Sequence, residues 1–357
     1  MVESARRWDA AVPSLRVTRA EAFHLRIPYA ESVRDFLLDS YRREQMDPPH
    51  LLRWIVRLET DAGLTGVGEA VLDPRPHLAG LAGHSLWDLV DDVSIGPACT
   101  IAVYDLAAQA RGVPISRLFS ASPRPAIQQA WWSRSFPPEI LRREAVRGLE
   151  AGYSVHKVKS RPHHDLVAQV AAVAEVVPPG YRIVIDANGT FGDAERTRDM
   201  AEALKRFPQV EAFEEPIPHH DVDGYRRLRG ALPIRLAVHW EGVDPRLFSA
   251  ESLCDAYVVE DFQWGPPLVS KSEACERTGQ RLWVENGLHS GISQVFQAHM
   301  AAALPAIELS ISLTHMLEDD VVVEPLTVAT GGWYTVPTGP GLGVALDEEA
   351  LERYRIA

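Results

Sequence analysis

The sequence is short of the residues that would place it in several common classes. It has three cysteines in 357 residues, Cys99, Cys254 and Cys275, far apart and without a C-x-x-C pair. That spacing excludes a cysteine zinc cluster and fits a reducing compartment, so a cytoplasmic protein without disulfides is expected. No apolar run is long enough to span a bilayer. The opening residues, Met1-Val2-Glu3-Ser4-Ala5-Arg6-Arg7, lack the apolar core of a signal peptide. Positive charge is also in deficit, with a formal net charge of −13. Such a surface repels a phosphate backbone or an anionic membrane, so neither nucleic acid nor membrane is expected as a partner. The acidity is spread along the chain, which fits solubility and local carboxylate sites.

What remains is globular in composition, with 46% hydrophobic and 24% charged residues. The length suggests two domains, or a barrel with an appended domain. Residues up to about 14 read as a loose polar start. A strand is predicted over Leu15 to Pro28, and a hairpin over Leu51 to Thr60 and Thr65 to Leu72 around Asp61-Ala62-Gly63. The polar stretch Ala30 to Pro49 reads as a loop, a lid or a disordered segment. Helices are expected over His84 to Asp92 and Ala98 to Arg111, the latter stopped by Gly112 and Pro114.

From about Arg124 short β-branched runs alternate with amphipathic runs. Strands are predicted at Ile127 to Trp132, Ser154 to Lys159, Arg182 to Asp186, Val210 to Glu214, Ile234 to His239, Ala256 to Glu260, Arg281 to Glu285 and Ile307 to Ser312. Helices are expected to begin near Pro137, Asp165, Asp193, Asp221, Pro245, Leu268 and Ser290. Strand ends recur at roughly 20–30 residue intervals, as in a (β/α)8 barrel. A doubly wound open sheet competes, but eight strands with seven intervening helices favour the barrel. After Ser312 the chain is rich in strand and turn residues and is expected to return to the first domain.

In a barrel the strands' C-terminal ends form the active-site mouth. Those ends carry Lys157 and Lys159, Asp186-Ala187-Asn188-Gly189, Glu214-Glu215-Pro216, His239-Trp240-Glu241, Glu260-Asp261, and Glu285-Asn286 with His289 beyond. Lys157 and Lys159 share a strand face, since side chains alternate. Two ammonium groups so placed favour each other's neutral form, which would suit a base. The alternative is a solvated edge strand guarded by lysines. Asp186, Glu214 and a ligand from the fifth strand make a site for a hard divalent cation such as Mg2+. Against that, Asp186 and Glu214 are also suited to cap the helices that follow them.

These motifs resemble the enolase superfamily, in its mandelate racemase/muconate lactonizing enzyme branch. The resemblance rests on Lys-x-Lys at 157 and 159, Asp-x-Asn-Gly at 186 to 189 and Glu-Glu-Pro at 214 to 216, in that order. It also rests on Asp105-Leu106-Ala107 with Gly112-Val113-Pro114, on Ser290-Gly291-Ile292, and on Pro340-Gly341-Leu342-Gly343. It implies an α/β fold: a modified (β/α)8 TIM barrel over 121–315, with an α+β capping domain built from 1–120 and the tail 316–357. It further implies a small carboxylate substrate, Mg2+ (or Mn2+) at the mouth, removal of the proton α to the carboxylate, and a homo-oligomer.

Three strand ends depart from the pattern. The fifth offers His239 or Glu241 in place of an acidic third ligand, and an imidazole shifts preference away from Mg2+ toward softer ions. The sixth ends in Glu260 where a lysine or aspartate is expected, which counts against a two-lysine epimerase. On the seventh, His289 is expected either to pair with Glu260 as an acid/base dyad or to lie in the following helix, leaving the role to Glu285. The resemblance is nearest to acid-sugar (glucarate-like) dehydratases, with Asn188, Tyr29 and Trp131 as candidate substrate contacts. Trp131, Trp132, Trp240 and Trp264 either narrow the pocket or pack between barrel and cap. The expected reaction is dehydration of a hydroxy acid or acid sugar. A racemase and a non-catalytic acid-binding protein are the alternatives.

Overall fold

The structure is a computed structural model that describes residues 14–46, 52–260, 263–285, 287, 289–324 and 326–356. The polar start before residue 14, the end of the 30–49 segment, and Asp261 and Asn286 lie outside the described residues.

Eight parallel strands close into a barrel. They are β4 (Ala126–Ser133), β5 (Val155–Lys159), β6 (Arg182–Asp186), β7 (Val210–Glu214), β8 (Arg235–His239), β9 (Ala256–Glu260), β10 (Arg281–Glu285) and β11 (Ile307–Ser312), and β11 pairs back onto β4. Most are five-residue apolar runs buried on both faces, because helices cover the outside and side chains fill the inside. Several of the helices start where an aspartate accepts first-turn N–H groups. Asp165 accepts from Val167 and Ala168, Asp193 from Arg196, and Asp221 from Gly224. Asp186 and Glu214 therefore do not cap these helices.

The cap begins as an antiparallel sheet of β1 (Val17–Arg26), β2 (Leu52–Thr60) and β3 (Thr65–Ala70). Helix Pro97–Ala110 lies directly on it. A Cβ at Gly68 would stand 1.9 Å from the Ala98 carbonyl oxygen, and one at Gly66 2.5 Å from that of Ala102, so only glycine permits the approach. Helix Gly291–Ala303 is buried along its whole length.

Two expectations change. The 30–49 segment is not a loop over its described part: Glu31–Arg43 is a helix. Its buried residues Val33, Leu37, Ser40 and Tyr41 recur at helical spacing, and Glu31 and Arg42-Arg43 sit at the helix ends that favour their charges. The tail also divides. β12 (Val328–Ala329) and β13 (Trp333–Thr335) pair antiparallel, and β13 extends the barrel sheet beside β4. Residues on both sides of this hairpin reach the cap: Glu318 N donates to the Pro28 carbonyl (2.9 Å), Leu342 N donates to Asp105 (2.9 Å) and Glu348 pairs with Arg57 (2.5 Å).

Candidate active site

Strand register brings the polar ends together. Lys159 is level with Asp186, Asp186 with Glu214, and Glu260 with Glu285. Partners in register on parallel strands share a face, so these groups converge inside the mouth. Lys157 Nζ is fully buried. It lies 2.8 Å from Glu214 Oε1 and 3.3 Å from Asp186 Oδ2, and it also donates to Glu285 Oε2. Lys159 Nζ donates to Asp186 and, at 3.0 Å, to Asn188 Oδ1. Asp186 thus lies between two ammonium groups.

That arrangement alters the expectation of a lysine with a lowered pKa. Burial alone disfavours the Lys157 ammonium, but the charges of Glu214, Glu285 and Asp186 outweigh burial and push its pKa well up. Asp186 is driven far down, since the lysine charges overcome its burial. Glu214 moves the other way. Burial and the adjacent Asp186 charge both favour its neutral form, and Lys157 only partly offsets them because Asp186 competes for the same ammonium. Glu214 Oε2 is buried without a hydrogen-bond partner.

Across the mouth, His239 is held by the residue after Glu214. Glu215 Oε1 lies 2.6 Å from His239 Nδ1 and accepts from its backbone N–H at 3.1 Å, and His219 Nε2 contacts the same oxygen. The other His239 nitrogen, Nε2, faces Glu214 Oε1 and Glu260 Oε1, each at 3.9 Å. Burial opposes the imidazolium, but the Glu215 contact and the Glu214 charge prevail and raise its pKa to about 9. The His239 contact and the charges of His239 and His219 overcome the burial of Glu215 and bring it to about 2. Glu215 and Asn188 both adopt left-handed backbone, with φ of 45° and 44°. Such strain in non-glycine residues gathers at functional sites. Asn188 is fully engaged: its Oδ1 also accepts from Arg161 (2.7 Å), and its Nδ2 donates to Glu215 (3.3 Å).

The donor set can be tested against a divalent cation. Glu214, His239 and Glu285 offer ligand atoms within 4.8 Å of one another, as do Glu215, His219 and His239. Three carboxylates already meet at one ammonium, and one of them has an orphaned oxygen. These features fit a cation. Of the expected Asp186–Glu214–His239 set, Glu214 and His239 fall in one such group with Glu285, and Asp186 stands beside it, paired with both lysines.

Other candidates lie elsewhere. Glu241 does not share the face of His239, because the chain leaves the strand at His239 and turns through Trp240–Gly242. Its carboxylate accepts from Lys271 at 2.5 Å. His289 does not face Glu260 as a dyad. It is buried against the cap, with Nδ1 3.7 Å from Glu69 of β3. Trp131 is not at the mouth. The register pairs Trp132 with Lys157 and Trp131 with His156, so Trp131 points outward. There it packs on Gly148 and stacks on His315 with ring centroids 3.4 Å apart. Tyr29 is buried, with its backbone bridged to Leu317. Sequence reasoning passed over Glu44, Glu69, Arg134, Arg161, Glu215 and His219. Only Glu215 carried a signal, inside the Glu-Glu-Pro motif.

No helix among the described residues is long and apolar enough to cross a membrane. The family model described as enolase C-terminal domain-like matches residues 141–350. A D-gluconate dehydratase of Thermoproteus tenax is 26% identical over 290 residues, covering 72% of this chain and 55% of that protein; the chain thus spans little more than half of that relative. A D-galactarolactone cycloisomerase of Agrobacterium fabrum is 26% identical over 85% of this chain and 91% of its own. Among solved structures, an enolase from Mycobacterium smegmatis complexed with formate and acetate superposes with a TM-score of 0.79. It is 21% identical and covers 96% of this chain and 91% of its own. Its likeness extends to the closed barrel and the small antiparallel sheet above it. The chain belongs to the enolase C-terminal domain-like family, within the enolase superfamily.

Proposed function

We propose that the barrel mouth removes the proton α to the carboxylate of a small hydroxy acid, and that the reaction continues to loss of water. The supporting observation is the placement of Lys159. Its Nζ is held at the end of β5 by Asp186 and Asn188, across the mouth from the Glu214–His239–Glu285 cluster. Relatives named as dehydratases of sugar acids favour the same chemistry.

In this reading the neutral amine of Lys159 takes the proton and becomes the ammonium that Asp186 and Asn188 hold. Lys157, fixed as a cation by three carboxylates, lends positive charge to the substrate carboxylate. Glu260, half exposed at the rim and 3.9 Å from His239, delivers a proton to the departing hydroxyl. Glu214, Glu285 and His239, with Asp186 beside them, would hold a divalent cation, Mg2+ or Mn2+. Held there, such a cation would supply positive charge to offset the charge that develops on the substrate carboxylate. Glu215 fixes the His239 ring through Nδ1, which leaves Nε2 to face the mouth.

A second reading is favoured by the Glu215–His239 pair. An imidazole opposite Lys159 supplies a base for each face of the α-carbon, which is the requirement of a racemase. One experiment addresses both. The protein is incubated in D2O with Mg2+ or Mn2+ and a panel of aldonic, aldaric and 2-hydroxy acids. Formation of a 2-keto acid supports dehydration, and α-deuterium uptake without loss of water supports racemisation. If no acid exchanges its α-proton while a carboxylate still binds, both readings fail and the site only binds acids.

A further inference from the structure

Beside the mouth, a single carboxylate of the cap is gripped by two arginines of the barrel. Arg134 follows β4 and Arg161 follows β5. Their side chains are 5% and 10% exposed, and that of Glu44, just past the helix Glu31–Arg43, is 11% exposed. Glu44 Oε1 lies 2.9 Å from Arg134 Nη2 and accepts from Ser40 Oγ at 3.2 Å, and its Oε2 accepts from Arg161 Nε at 2.6 Å. Arg134 is fixed from its other side by the Tyr41 ring, 3.8 Å from the guanidinium carbon, and by Ser40 Oγ at 3.1 Å. Arg161 is fixed by the Ser160 carbonyl at 2.7 Å. The backbone turns immediately after Glu44 through Gln45, a non-glycine residue with φ of 54°.

Three facts set this cluster apart from a surface ion pair. Two nearly buried guanidinium groups share one carboxylate, so the cluster is one negative charge short. The guanidinium fork suits a carboxylate better than any other biological anion except phosphate. Arg161 also touches the reaction site. Its Nη2 donates at 2.7 Å to Asn188 Oδ1, which also accepts from Lys159 Nζ at 3.0 Å, so one amide oxygen joins the two cations. Arg161 also borders a cavity of about 340 Å³ that it shares with Ser160, Asp165, Thr190 and Arg196, and that neither Glu44 nor Arg134 lines.

We propose that Arg134 and Arg161 form a subsite for a second carboxylate on the substrate, and that Glu44 occupies that subsite as an internal stand-in. The inference rests on the reading above, in which a first carboxylate sits at the mouth. It selects short dicarboxylic acids over monocarboxylic ones. It also couples selection to the cap, because a carboxylate that displaces Glu44 releases the end of the Glu31–Arg43 helix.

The test is calorimetric titration of the full-length protein, with Mg2+ or Mn2+ present, using glutarate and butyrate as unreactive probes. Glutarate is expected to bind more tightly than butyrate. In Glu44→Gln the competing charge is gone, so glutarate binding tightens by about tenfold and butyrate stays unchanged. In Arg161→Gln the advantage of glutarate is lost. Arg161→Lys keeps the charge without the fork, and is expected to fall between, with its thermal midpoint confirming the fold. Equal binding of the two acids in both wild type and Glu44→Gln overturns the subsite and leaves Glu44 as a latch for the helix. Failure of both acids to bind any variant overturns the carboxylate reading of the mouth as well.

Discussion

Two fully buried glutamates in this protein live in opposite circumstances. Glu69 lies in the seam between cap and barrel. It accepts from Ser290 N (2.6 Å), Ser290 Oγ (2.9 Å) and Ser293 N (3.0 Å), with Arg53 and His289 close by. It sits at the N-terminus of the buried helix Gly291–Ala303, where the helix dipole favours an anion. Burial opposes its charge, but His289 first, then the Arg53 charge and the Ser290 N–H, outweigh that cost and bring its pKa to about 2. Glu214, in the mouth, has one ammonium donor, one orphaned oxygen, and Asp186 level with it on the next strand. Its charge is opposed. The seam answers the Glu69 carboxylate with two backbone N–H donors and a hydroxyl at a helix N-terminus. The mouth packs like charges around too few cations, an arrangement that favours a further positive charge and disfavours rest.

The largest effect that would sharpen this contrast falls in the mouth. Lys159→Ala is expected to lower α-proton exchange by about 10³-fold. Its thermal midpoint should stay close to that of the wild type, because the side chain is held by only two polar contacts at a partly open rim. Exchange measured by NMR in D2O, beside a thermal melt, decides it. A variant that exchanges normally removes Lys159 as the base.

The next effect falls in the seam. Glu69→Gln removes the buried anion that faces Arg53 and His289 and is expected to cost about 3 kcal/mol at pH 7. The sign with pH follows from the depressed pKa. A carboxyl bound more weakly by protons in the folded state stabilises the fold above its ordinary value of 4.5, and this is lost as pH falls toward about 2. The gap between wild type and variant in urea midpoint should therefore be full at pH 7 and shrink between pH 4.5 and 2. A gap independent of pH breaks the contrast. Smaller again is Glu214→Gln. Removing one of the crowded charges is expected to change stability by less than about 1 kcal/mol while weakening Mn2+ binding about tenfold. A large loss of stability would make Glu214 a second Glu69.

The barrel was legible because its signals are local. Most strands are short apolar runs, most of the following helices start on an aspartate or proline, and Arg182–Asp186, Val210–Glu214, Ala256–Glu260, Arg281–Glu285 and Ile307–Ser312 stand at their predicted bounds. The polar strand ends followed from the same pattern. The seam was not legible, because Glu69 meets Ser290 across 221 positions and neither residue carries a mark of the other. Glu44 and Arg134 are likewise joined only by the fold. The helix Glu31–Arg43 was hidden by its polarity, although Val33, Leu37 and Tyr41 show its spacing. One signal went unread. The chain has only four lysines among its 36 basic residues, so two of them at 157 and 159 are unusual in a protein that otherwise uses arginine.

The smallest predicted effect concerns a residue whose face the sequence left open. Trp131 and Trp132 are adjacent, and alternation places only one of them in the barrel. Register with β5 assigns Trp132 to the lysine face and Trp131 to the outer face, where its ring stacks on His315 and lies against Gly148 and Tyr153. The neighbouring histidine is kept neutral, since burial lowers the His315 pKa to about 3. Trp131 is therefore packing, outside the chemistry. Trp131→Phe retains an aromatic face for His315 and is expected to cost about 1 kcal/mol of stability, with butyrate binding unchanged. Trp132→Phe, on the lysine face, is expected to alter that binding. If Trp131→Phe weakens binding and Trp132→Phe does not, β4 is one residue out of register. Every residue now placed inside the mouth by that strand would then belong outside it.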